Sequence, residues 1–422
     1  MKTLRTFLVC LFACISISSM SVAQPAFIIS SIGNGYVDGV GDIYSFNSST
    51  LLAIGTQGSI FKTTNGGASF SKIECTTLAL NCMAFRNANT GYIGGQNGVV
   101  LKTTDGGSSW SVIGLGLSQW SFNGISLKND EVNLSGSLGT IFKSTNNGAN
   151  WIDQSISLSG NFYGGTAFIP NGRRLQVAYS SPSAVWISSN GGTTWSGEAL
   201  PNNAQASGQY WQDSLVGYVI GTLPSTTTRV VCKTTNGGAN WNSLTLSGNV
   251  LLKDISFCNA STGFIVAGTH NPSKVGQIYW TTNAGASWTL IKEYTETELY
   301  SVACFGSKVY IGADPGKILC ADISVSITPI STAVPEKYSL SQNFPNPFNP
   351  TTTIRFTIPK ATQGSLIIYN MQGQEVKTIT NQLFVAGTYE PQFNASGLSS
   401  GTYFYRLETE GFSQTKKMIL VK

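Results

Sequence analysis

Few side chains in this 422-residue chain have types and spacing suited to catalysis. Glycoside hydrolysis uses two facing carboxylates, and several acids do occur in segments that we predict to be loops. Their spacing pairs none of them, and Asp213 is better explained as a turn residue. The candidate acids are Asp38, Asp42, Asp213 and Asp314. The sequence therefore assigns no catalytic residue.

The single histidine, His270, lies in a predicted loop at residues 268–276. No serine or cysteine can be paired with it from sequence, so a nucleophilic triad has little support. Residues 312–317 are one residue too short for a phosphate-binding loop, and Ile318 stands where Ser or Thr is needed. One histidine and no Cys-x-x-Cys pair also argue against zinc. We expect no metal and no cofactor.

Cysteine usage fits an exported protein. Cys10 and Cys14 lie in an apolar N-terminal stretch, which leaves an even number of cysteines in the rest of the chain. An oxidising route permits disulfides among them, with the pairing open. We expect Cys304 to pair with Cys320, because both fall in one repeat; the alternative is small buried thiols. The remaining cysteines are Cys75, Cys82, Cys232, Cys258, Cys304 and Cys320.

A ten-residue pattern, first seen as FKTTNGGASF, occurs six times and closes each time on an aromatic residue. The closing residues are 40, 41, 44, 46 and 47 positions apart, a period typical of one four-stranded propeller blade. Each copy predicts a hairpin turn, because Asn or Asp can bond the backbone ahead and glycine tolerates positive φ. The turn residues are Asn65, Asp105, Asn146, Asn190, Asn236 and Asn283, and the closing tryptophans are Trp110, Trp151, Trp195, Trp241 and Trp288.

These boxes resemble the Asp-box, or bacterial neuraminidase repeat. The longer unit, such as residues 84–104, resembles repeats of the photosystem II assembly factor propellers, which implies the scaffold alone. A seventh repeat, residues 300–324, has no box and lacks an outer strand, which residues 26–31 can supply. We therefore predict an all-β chain with a seven-bladed β-propeller over residues 24–323, closed by an N-terminal strand.

Sialidases share the Asp-box scaffold, so their chemistry is the natural alternative. It needs an arginine triad, and the propeller has only four arginines and no Phe/Tyr-Arg-Ile-Pro motif. Arg173 and Arg174 follow a Pro-Asn-Gly turn, so we expect them at a solvated hairpin tip. Five of the six box residues are neutral, which argues against a calcium or catalytic role. The four arginines are Arg86, Arg173, Arg174 and Arg229.

The face opposite the boxes is where the resemblance places function, and the loops there differ most between repeats. Repeats five and six lengthen them at residues 223–229 and 269–274. Aromatic residues near the inner strands could stack on sugars or grip a peptide, or could simply fill gaps between blades. We predict a non-catalytic binding module for glycan or protein; the alternatives are a sialidase-like glycoside hydrolase and a structural adhesion scaffold. The candidate ligand-binding residues are Trp120, Phe122, Tyr163, Tyr300, Arg229 and His270.

Charge excludes one partner class. Residues 24–335 carry 15 basic and 15 acidic side chains, so the predicted propeller is neutral. Nucleic-acid binding requires a basic stripe that releases counterions. We expect no nucleic-acid partner.

The N-terminus predicts export. Lys2 and Arg5 precede an apolar stretch at residues 7–17, and small residues near position 23 supply a cleavage site. Residues 1–23 are therefore predicted to be a signal peptide. No other stretch has the length of a transmembrane helix, so we expect no transmembrane segment in the mature form.

After a predicted linker at residues 324–337, residues 338–422 contain NPFNP, YNMQGQ and SGTY in order. They resemble the C-terminal sorting domain of the type IX secretion system of Bacteroidetes, which implies recognition by that machinery and passage through the periplasm to secretion or surface attachment. We predict a small Ig-like β-sandwich. Its lysines are either read by the machinery or guard an exposed edge strand. The sorting-signal residues are Asn346, Pro347, Phe348, Asn349, Pro350, Gly373, Gly401, Lys416 and Lys417.

Overall fold

The computed structural model describes residues 25, 27–32, 39–115, 117–158, 160–180, 184–224, 226, 228–248, 250–270, 273–323, 334–395 and 398–421. The predicted signal peptide and most of the predicted linker lie outside these residues. Almost all regular structure within them is β-strand, in four-stranded antiparallel sheets followed by a C-terminal β domain. In this part of the chain no helix is long and apolar enough to cross a membrane.

The first strand, β1, spans Ile28–Ser31, and three four-stranded blades follow it. Blade 1 contains β2 (Val40–Ser45), β3 (Leu51–Gly55), β4 (Ser59–Thr63) and β5 (Ser71–Glu74). Blade 2 contains β6 (Leu80–Phe85), β7 (Gly91–Gly95), β8 (Val99–Thr103) and β9 (Ser111–Gly114). Blade 3 contains β10 (Phe122–Lys128), β11 (Glu131–Gly136), β12 (Ile141–Ser144) and β13 (Ile152–Asp153).

Three more blades repeat this order. Blade 4 contains β14 (Asn161–Phe168), β15 (Arg174–Tyr179), β16 (Val185–Ser188) and β17 (Ser196–Glu198). Blade 5 contains β18 (Gln205–Trp211), β19 (Gly217–Thr222), β20 (Arg229–Thr234) and β21 (Asn242–Leu246). Blade 6 contains β22 (Leu252–Phe257), β23 (Gly263–Thr269), β24 (Val275–Thr281) and β25 (Thr289–Thr295). Short 3-10 turns span Gln96–Gly98, Ser137–Gly139, Pro170–Gly172 and Pro201–Asn203.

Blade 7 joins the two ends of the propeller sequence. It contains β26 (Leu299–Phe305), β27 (Lys308–Ala313) and β28 (Lys317–Asp322), and β1 supplies its fourth strand. Ile28 pairs with Cys320 and Ser31 with Lys317 in an antiparallel ladder. The predicted N-terminal closing strand is confirmed over Ile28–Ser31, and it covers an edge of β28 that would otherwise be open.

The first strands of successive blades contact one another in a closed circle, in which β26 meets β2. These strands therefore surround the central channel, as in propellers generally. The middle strands are continuous apolar runs because blades pack on them from both sides: all five residues of β3 and of β7 are buried. The outermost strands, such as β5 and β9, are mostly exposed.

The disulfide differs from our expectation. Cys304 bonds Cys258, while Cys320 is a free thiol. Cys320 pairs across the sheet with Tyr310, and Cys304 pairs with Val309, so the two cysteines of blade 7 are not opposite each other. Cys258 directly follows β22 and lies with Cys304 in the core between blades 6 and 7. The bond therefore links two blades.

The C-terminal domain is a two-layer β-sandwich. Its strands are β29 (Ser339–Leu340), β30 (Thr351–Thr353), β31 (Phe356–Ile358), β32 (Thr362–Tyr369), β33 (Glu375–Phe384), β34 (Gly387–Tyr389), β35 (Gln392–Asn394), β36 (Gly401–Thr409) and β37 (Phe412–Leu420). One sheet has the order β33-β32-β36-β37, and the other strands form small sheets of three and two strands. Phe356 and Tyr389 from one side and Leu366 and Tyr405 from the other share one buried core.

Candidate ligand-binding site

The six boxes lie between the third and fourth strands of blades 1 to 6, and all share one hydrogen-bond pattern. In blade 2 the Thr103 hydroxyl donates to Asp105 Oδ1 at 2.8 Å and accepts the Gly107 N–H at 3.0 Å. Asp105 Oδ1 then accepts the Ser109 N–H at 2.9 Å. These bonds hold the pKa of the Asp105 carboxyl well below its ordinary value, the Ser109 hydroxyl contributing most. The box is a closed structural turn.

The hydroxyl two residues before each turn residue is nearly inaccessible in every box. Our sequence interpretation credited the Asn or Asp and the glycines, and it missed this hydroxyl, although the repeat shows Thr or Ser there each time. A buried hydroxyl that satisfies two backbone N–H groups is costly to remove. The six hydroxyl residues are Thr63, Thr103, Ser144, Ser188, Thr234 and Thr281.

A lysine connects each of several boxes to the next blade. Lys62 Nζ donates to the Gly106 carbonyl at 2.9 Å, and Lys102 Nζ donates to the Asn147 carbonyl at 2.8 Å. Lys143 and Lys233 make the equivalent bonds to the boxes of blades 4 and 6. The box face, which we call the lower face, is thus tied together by a repeated network.

The opposite face, the upper face, is formed by the loops between second and third strands and by the connections between blades. Each inner strand begins there and carries a register shift near its start, for example between Val40 and Asp42 in blade 1. The residue at or beside each shift is partly exposed in all seven blades. We call this set the mouth ring: Gly41, Asn81, Asn123, Tyr163, Ser207, Lys253 and Tyr300.

Members of the mouth ring contact the neighbouring blade. Asn81 donates to the Phe122 carbonyl at 3.1 Å, and Ser207 donates to the Leu252 carbonyl at 2.8 Å. Six of the seven positions carry side chains of four kinds, namely two amides, a hydroxyl, an ammonium and two phenols, and the seventh is Gly41. Equivalent backbone positions of the mouth ring therefore carry chemically varied groups.

A polar cluster adjoins the ring at blades 6 and 7. The buried Glu298 accepts the Tyr300 hydroxyl at 2.9 Å and contacts Lys253 Nζ at 3.1 Å. His270 Nδ1 lies 3.5 Å from the same carboxylate, and its side chain is 68% exposed. Tyr300 also packs on Gly39, where an added Cβ would lie 2.5 Å from its ring. The predicted residues Tyr300 and His270 are thus brought together.

The same cluster contains a group with metal-ligand chemistry. Ligand atoms of His270, Glu298 and Asp314 all lie within 4.8 Å of one another. Lys274 donates to Asp314, which raises the pKa of that ammonium group. Because Lys253 and Lys274 already neutralise the two carboxylates, the cluster is balanced without a cation.

Two acids on the inner strands were not paired by our sequence analysis. Asp42 accepts the backbone N–H of Met83 in blade 2 at 2.7 Å, and Asp254 accepts that of Val302 in blade 7 at 2.8 Å. Burial raises the pKa of Asp42 to about 8, with a further contribution from the charge of Asp254, and raises that of Asp254 to about 7. The backbone N–H donors oppose both increases.

Two of the predicted ligand residues are internal. Phe122 is fully buried and packs on Phe142 in the core between blades 2 and 3. Arg229 is also fully buried: it donates to the carbonyls of Val250 and Ser247 and to Gln277 Oε1. Both were wrongly placed on the ligand surface, because a residue at a strand end can still point between blades.

The expectation for Arg174 was also wrong. Its side chain is 11% exposed, pairs with Glu131 at 3.2 Å and lies over the Phe168 ring. Asp213, in contrast, is confirmed as a turn residue, since its carboxylate accepts the N–H groups of Leu215 and Val216. Neither residue reaches the upper face, because both lie on hairpins between first and second strands.

Trp120 and Tyr163 occupy different parts of the upper face. Tyr163 belongs to the mouth ring and follows the buried Phe162, as Tyr300 follows Leu299. Trp120 instead lines a separate pocket of about 390 Å³ at the outer strands of blade 3. The two predicted aromatics therefore do not form one surface.

In the C-terminal domain the predicted sorting residues have unequal exposure. Phe348 is buried in the sandwich core, and its backbone bonds Ile419 and Val421. Asn346 Oδ1 accepts the Ile419 N–H at 2.9 Å. The NPFNP segment thus holds the end of β37 by hydrogen bonds. Lys417 on β37, in contrast, is exposed.

Comparison with known families agrees with this architecture. Residues 342–422 match the model for the secretion system C-terminal sorting domain. Residues 72–208 match the model for the photosynthesis system II assembly factor YCF48. No curated protein shows significant sequence similarity to the chain.

Solved structures share the propeller fold at low identity. A structure of YCF48 bound to D1 peptide has a TM-score of 0.55 and 18% identity, covering 70% of this chain and 96% of that one. YCF48 from Cyanidioschyzon merolae has a TM-score of 0.55 and 16% identity, covering 70% and 98%. The GH74 enzyme of Niastella koreensis has a TM-score of 0.59 and 14% identity, covering 93% and 74%.

Fold and boxes define a seven-bladed Asp-box propeller followed by a β-sandwich. The sandwich is a type IX sorting domain, so the protein is secreted by the type IX machinery and is extracellular or attached to the cell surface. The chain combines a YCF48-like propeller with a secretion system C-terminal sorting domain.

Proposed function

We propose that this secreted propeller is a non-catalytic binding module for a glycan, which docks on the mouth ring and the adjoining upper-face loops. The observation that supports this proposal most is the ring itself. Equivalent positions in seven blades carry a glycine and six partly exposed side chains of four chemical kinds, while equivalent positions in the boxes repeat one structural pattern. A recognition surface requires different side chains on a regularly repeated backbone.

The chemistry of the mouth favours a neutral polar ligand. Lys253 and Lys274 pair with Glu298 and Asp314, so the cluster presents hydrogen-bonding groups without net charge. Tyr163 adds an aromatic face, on which the apolar side of a sugar ring can stack. A charged peptide would need an excess of one sign at this site.

A glycoside hydrolase is the second candidate, because Asp42 and Asp254 are two channel acids with raised pKa values. A raised pKa suits a general acid. However, each carboxylate accepts two backbone N–H groups, which holds it between blades. We therefore assign these acids to structure.

The test is a glycan array probed with the mature chain, residues 24–422, followed by mass analysis of the bound glycans. We expect saturable binding of intact sugars. Shortened products would instead establish the hydrolase, and an array without signal, followed by specific peptide capture, would replace the glycan with a protein ligand.

Tyr163→Ala is the matched binding variant, and Leu215→Ala, which alters an exposed residue on a lower-face hairpin, is its control. We expect the first to weaken glycan binding at least about tenfold, equivalent to about 1.4 kcal/mol, and the second to leave it unchanged. Equal effects from both variants would contradict binding at the mouth ring.

For delivery we propose a route through the periplasm in which β37 is part of the recognised surface. Removing residues 413–422 takes away the edge strand of the four-stranded sheet, so the truncated protein should accumulate in the periplasm. The double variant Lys416→Ala, Lys417→Ala keeps the strand. Normal secretion of this variant would mean that the lysines only guard the edge.

A further inference from the structure

The pocket beside Trp120 is separate from the mouth ring and has its own chemistry. It lies where the connection from blade 2 to blade 3 meets the 3-10 turn Ser137–Gly139 and the ends of β12 and β13. Backbone bonds fix this connection on both sides: the Gly98 N–H donates to the Trp120 carbonyl at 2.6 Å, and the Ser137 N–H donates to the Ser121 carbonyl at 2.9 Å. The backbone on both sides of this connection is therefore held in place by hydrogen bonds.

Leu138 is the most informative residue of the pocket. Its backbone has φ 53° and ψ 35°, in the left-handed region that disfavours a branched apolar side chain. The equivalent turn of blade 2 has Asn97, with φ 51° and ψ 34°, which is a residue suited to this conformation. Leu138 is also 52% exposed. A strained and exposed leucine at a site where asparagine would fit points to a ligand contact.

Trp120 supplies a partly exposed indole in the same pocket, and no hydrogen bond or ring contact of its side chain occurs within the described residues. Leu117, Phe142 and Leu158 complete an apolar wall. This wall offers a flat aromatic face together with room for a small apolar substituent.

Asp153 adds the polar function. One carboxylate oxygen accepts the Ser155 N–H at 2.8 Å, and no ion pair to Asp153 is formed within the described residues. The carboxylate can accept hydrogen bonds from hydroxyl and amide N–H groups of a ligand. It also repels anionic ligands.

We propose that this pocket binds an N-acetylated hexosamine, with its ring on Trp120, its acetyl methyl group against Leu138 and its hydroxyl or amide hydrogens donated to Asp153. The volume of about 390 Å³ suits one sugar residue of this kind. This inference rests on the proposed glycan-binding function and identifies one sugar class and one subsite of it.

The test is isothermal titration of the mature chain with tri-N-acetylchitotriose, with cellotriose as the ligand that lacks acetamido groups and N-acetylneuraminic acid as the anionic ligand. We expect the acetylated trisaccharide to bind at least about tenfold more tightly than either of the others. Equal affinity for cellotriose would overturn the role of the acetamido group, and preference for the anionic sugar would overturn the role of Asp153.

The variant Leu138→Asn tests whether Leu138 contacts the ligand or only supports the fold. Asparagine fits the left-handed backbone, so this variant should melt at the same or a higher temperature while losing at least about tenfold in affinity. Leu215→Ala, which changes another exposed leucine but on a lower-face hairpin, should leave affinity unchanged. Unchanged affinity in Leu138→Asn would refute the subsite.

Failure of this inference can be told apart from failure of the proposed function. If the array recovers other glycans, and Tyr163→Ala weakens them while Leu138→Asn does not, the mouth ring stands and the pocket does not. If no glycan binds the mature chain, both proposals fail.

Discussion

The lower and upper faces of the propeller are built from the same blades but differ in what is repeated. On the lower face, Thr103 and its five equivalents make the same bonds in every box, and lysines such as Lys62 extend them to the next blade. On the upper face, equivalent positions hold residues as different as Ser207 and Tyr300. Repetition of a contact indicates a structural task, and variation at a fixed backbone position indicates recognition.

The polar residues of the two faces also differ in how many blades supply them. The hydroxyl and the Asn or Asp side chain of each box form their hydrogen bonds within one hairpin, so their role is local. Glu298 and His270 come from different blades and are brought together only when blades 6 and 7 pack against each other. Changes to the scaffold should therefore alter stability first, and changes to the upper face should alter binding first.

The largest expected effect comes from opening the ring. Deleting residues 24–32 removes β1 and its ladder with β28, which we expect to lower the free energy of unfolding by about 4 kcal/mol at about 1 kcal/mol for each hydrogen bond. Thermal unfolding measures the change, and deletion of residues 24–26 alone is the control. An unchanged melting temperature would contradict closure by β1.

A box hydroxyl gives the next largest effect. Thr103→Val leaves the Gly107 N–H without its acceptor inside the turn and should cost about 1–3 kcal/mol. Thr140→Val, on the upper face, removes only one hydroxyl bond, to the Ser137 carbonyl, and should cost less. Urea unfolding compares the two variants; equal losses would remove the distinction between the faces.

The third predicted effect is a dependence of stability on pH. Because the pKa values of Asp42 and Asp254 are raised to about 8 and about 7 in the folded protein, folding takes up protons. Their contribution to stability is therefore complete at about pH 4 and is lost as the pH rises through 7 and 8. We expect a loss of about 2 kcal/mol, since contact with channel water reduces the full effect.

Asp42→Asn should flatten this decline while leaving glycan binding in place. Unfolding in urea at pH 5 and at pH 8.5 measures it, and Asp213→Asn, at an exposed turn, is the control. A decline as steep in Asp42→Asn as in the parent protein would show that Asp42 keeps its ordinary titration.

Much of the fold could be predicted because the box occurs six times and its spacing gives the length of one blade. β1 was recognisable as the strand missing from blade 7. The inward orientation of Phe122 and Arg229 could not be predicted, since strand ends leave open which side faces a neighbouring blade. The Cys258–Cys304 bond crosses two blades, and no spacing within one repeat reveals that proximity.

The site was less predictable than the fold. Tyr163 and Tyr300 were found as aromatics entering inner strands, but the mouth ring depends on register shifts that have no sequence signature of their own. The pairing of Lys253 with Glu298 likewise depends on which blades become neighbours. Leu138 could have been found by aligning its turn with Asn97, since a leucine between Ser137 and Gly139 breaks the pattern of the preceding repeat.

The division of roles between the two faces is tested by titrating the glycan recovered from the array into Tyr163→Ala and Thr103→Val side by side and recording both melting temperatures. We predict that Tyr163→Ala loses affinity at least about tenfold with its melting temperature retained, and that Thr103→Val melts lower with its affinity retained. The opposite result, in which Thr103→Val loses affinity and Tyr163→Ala loses stability, would contradict a structural role of the boxes and a binding role of the mouth ring.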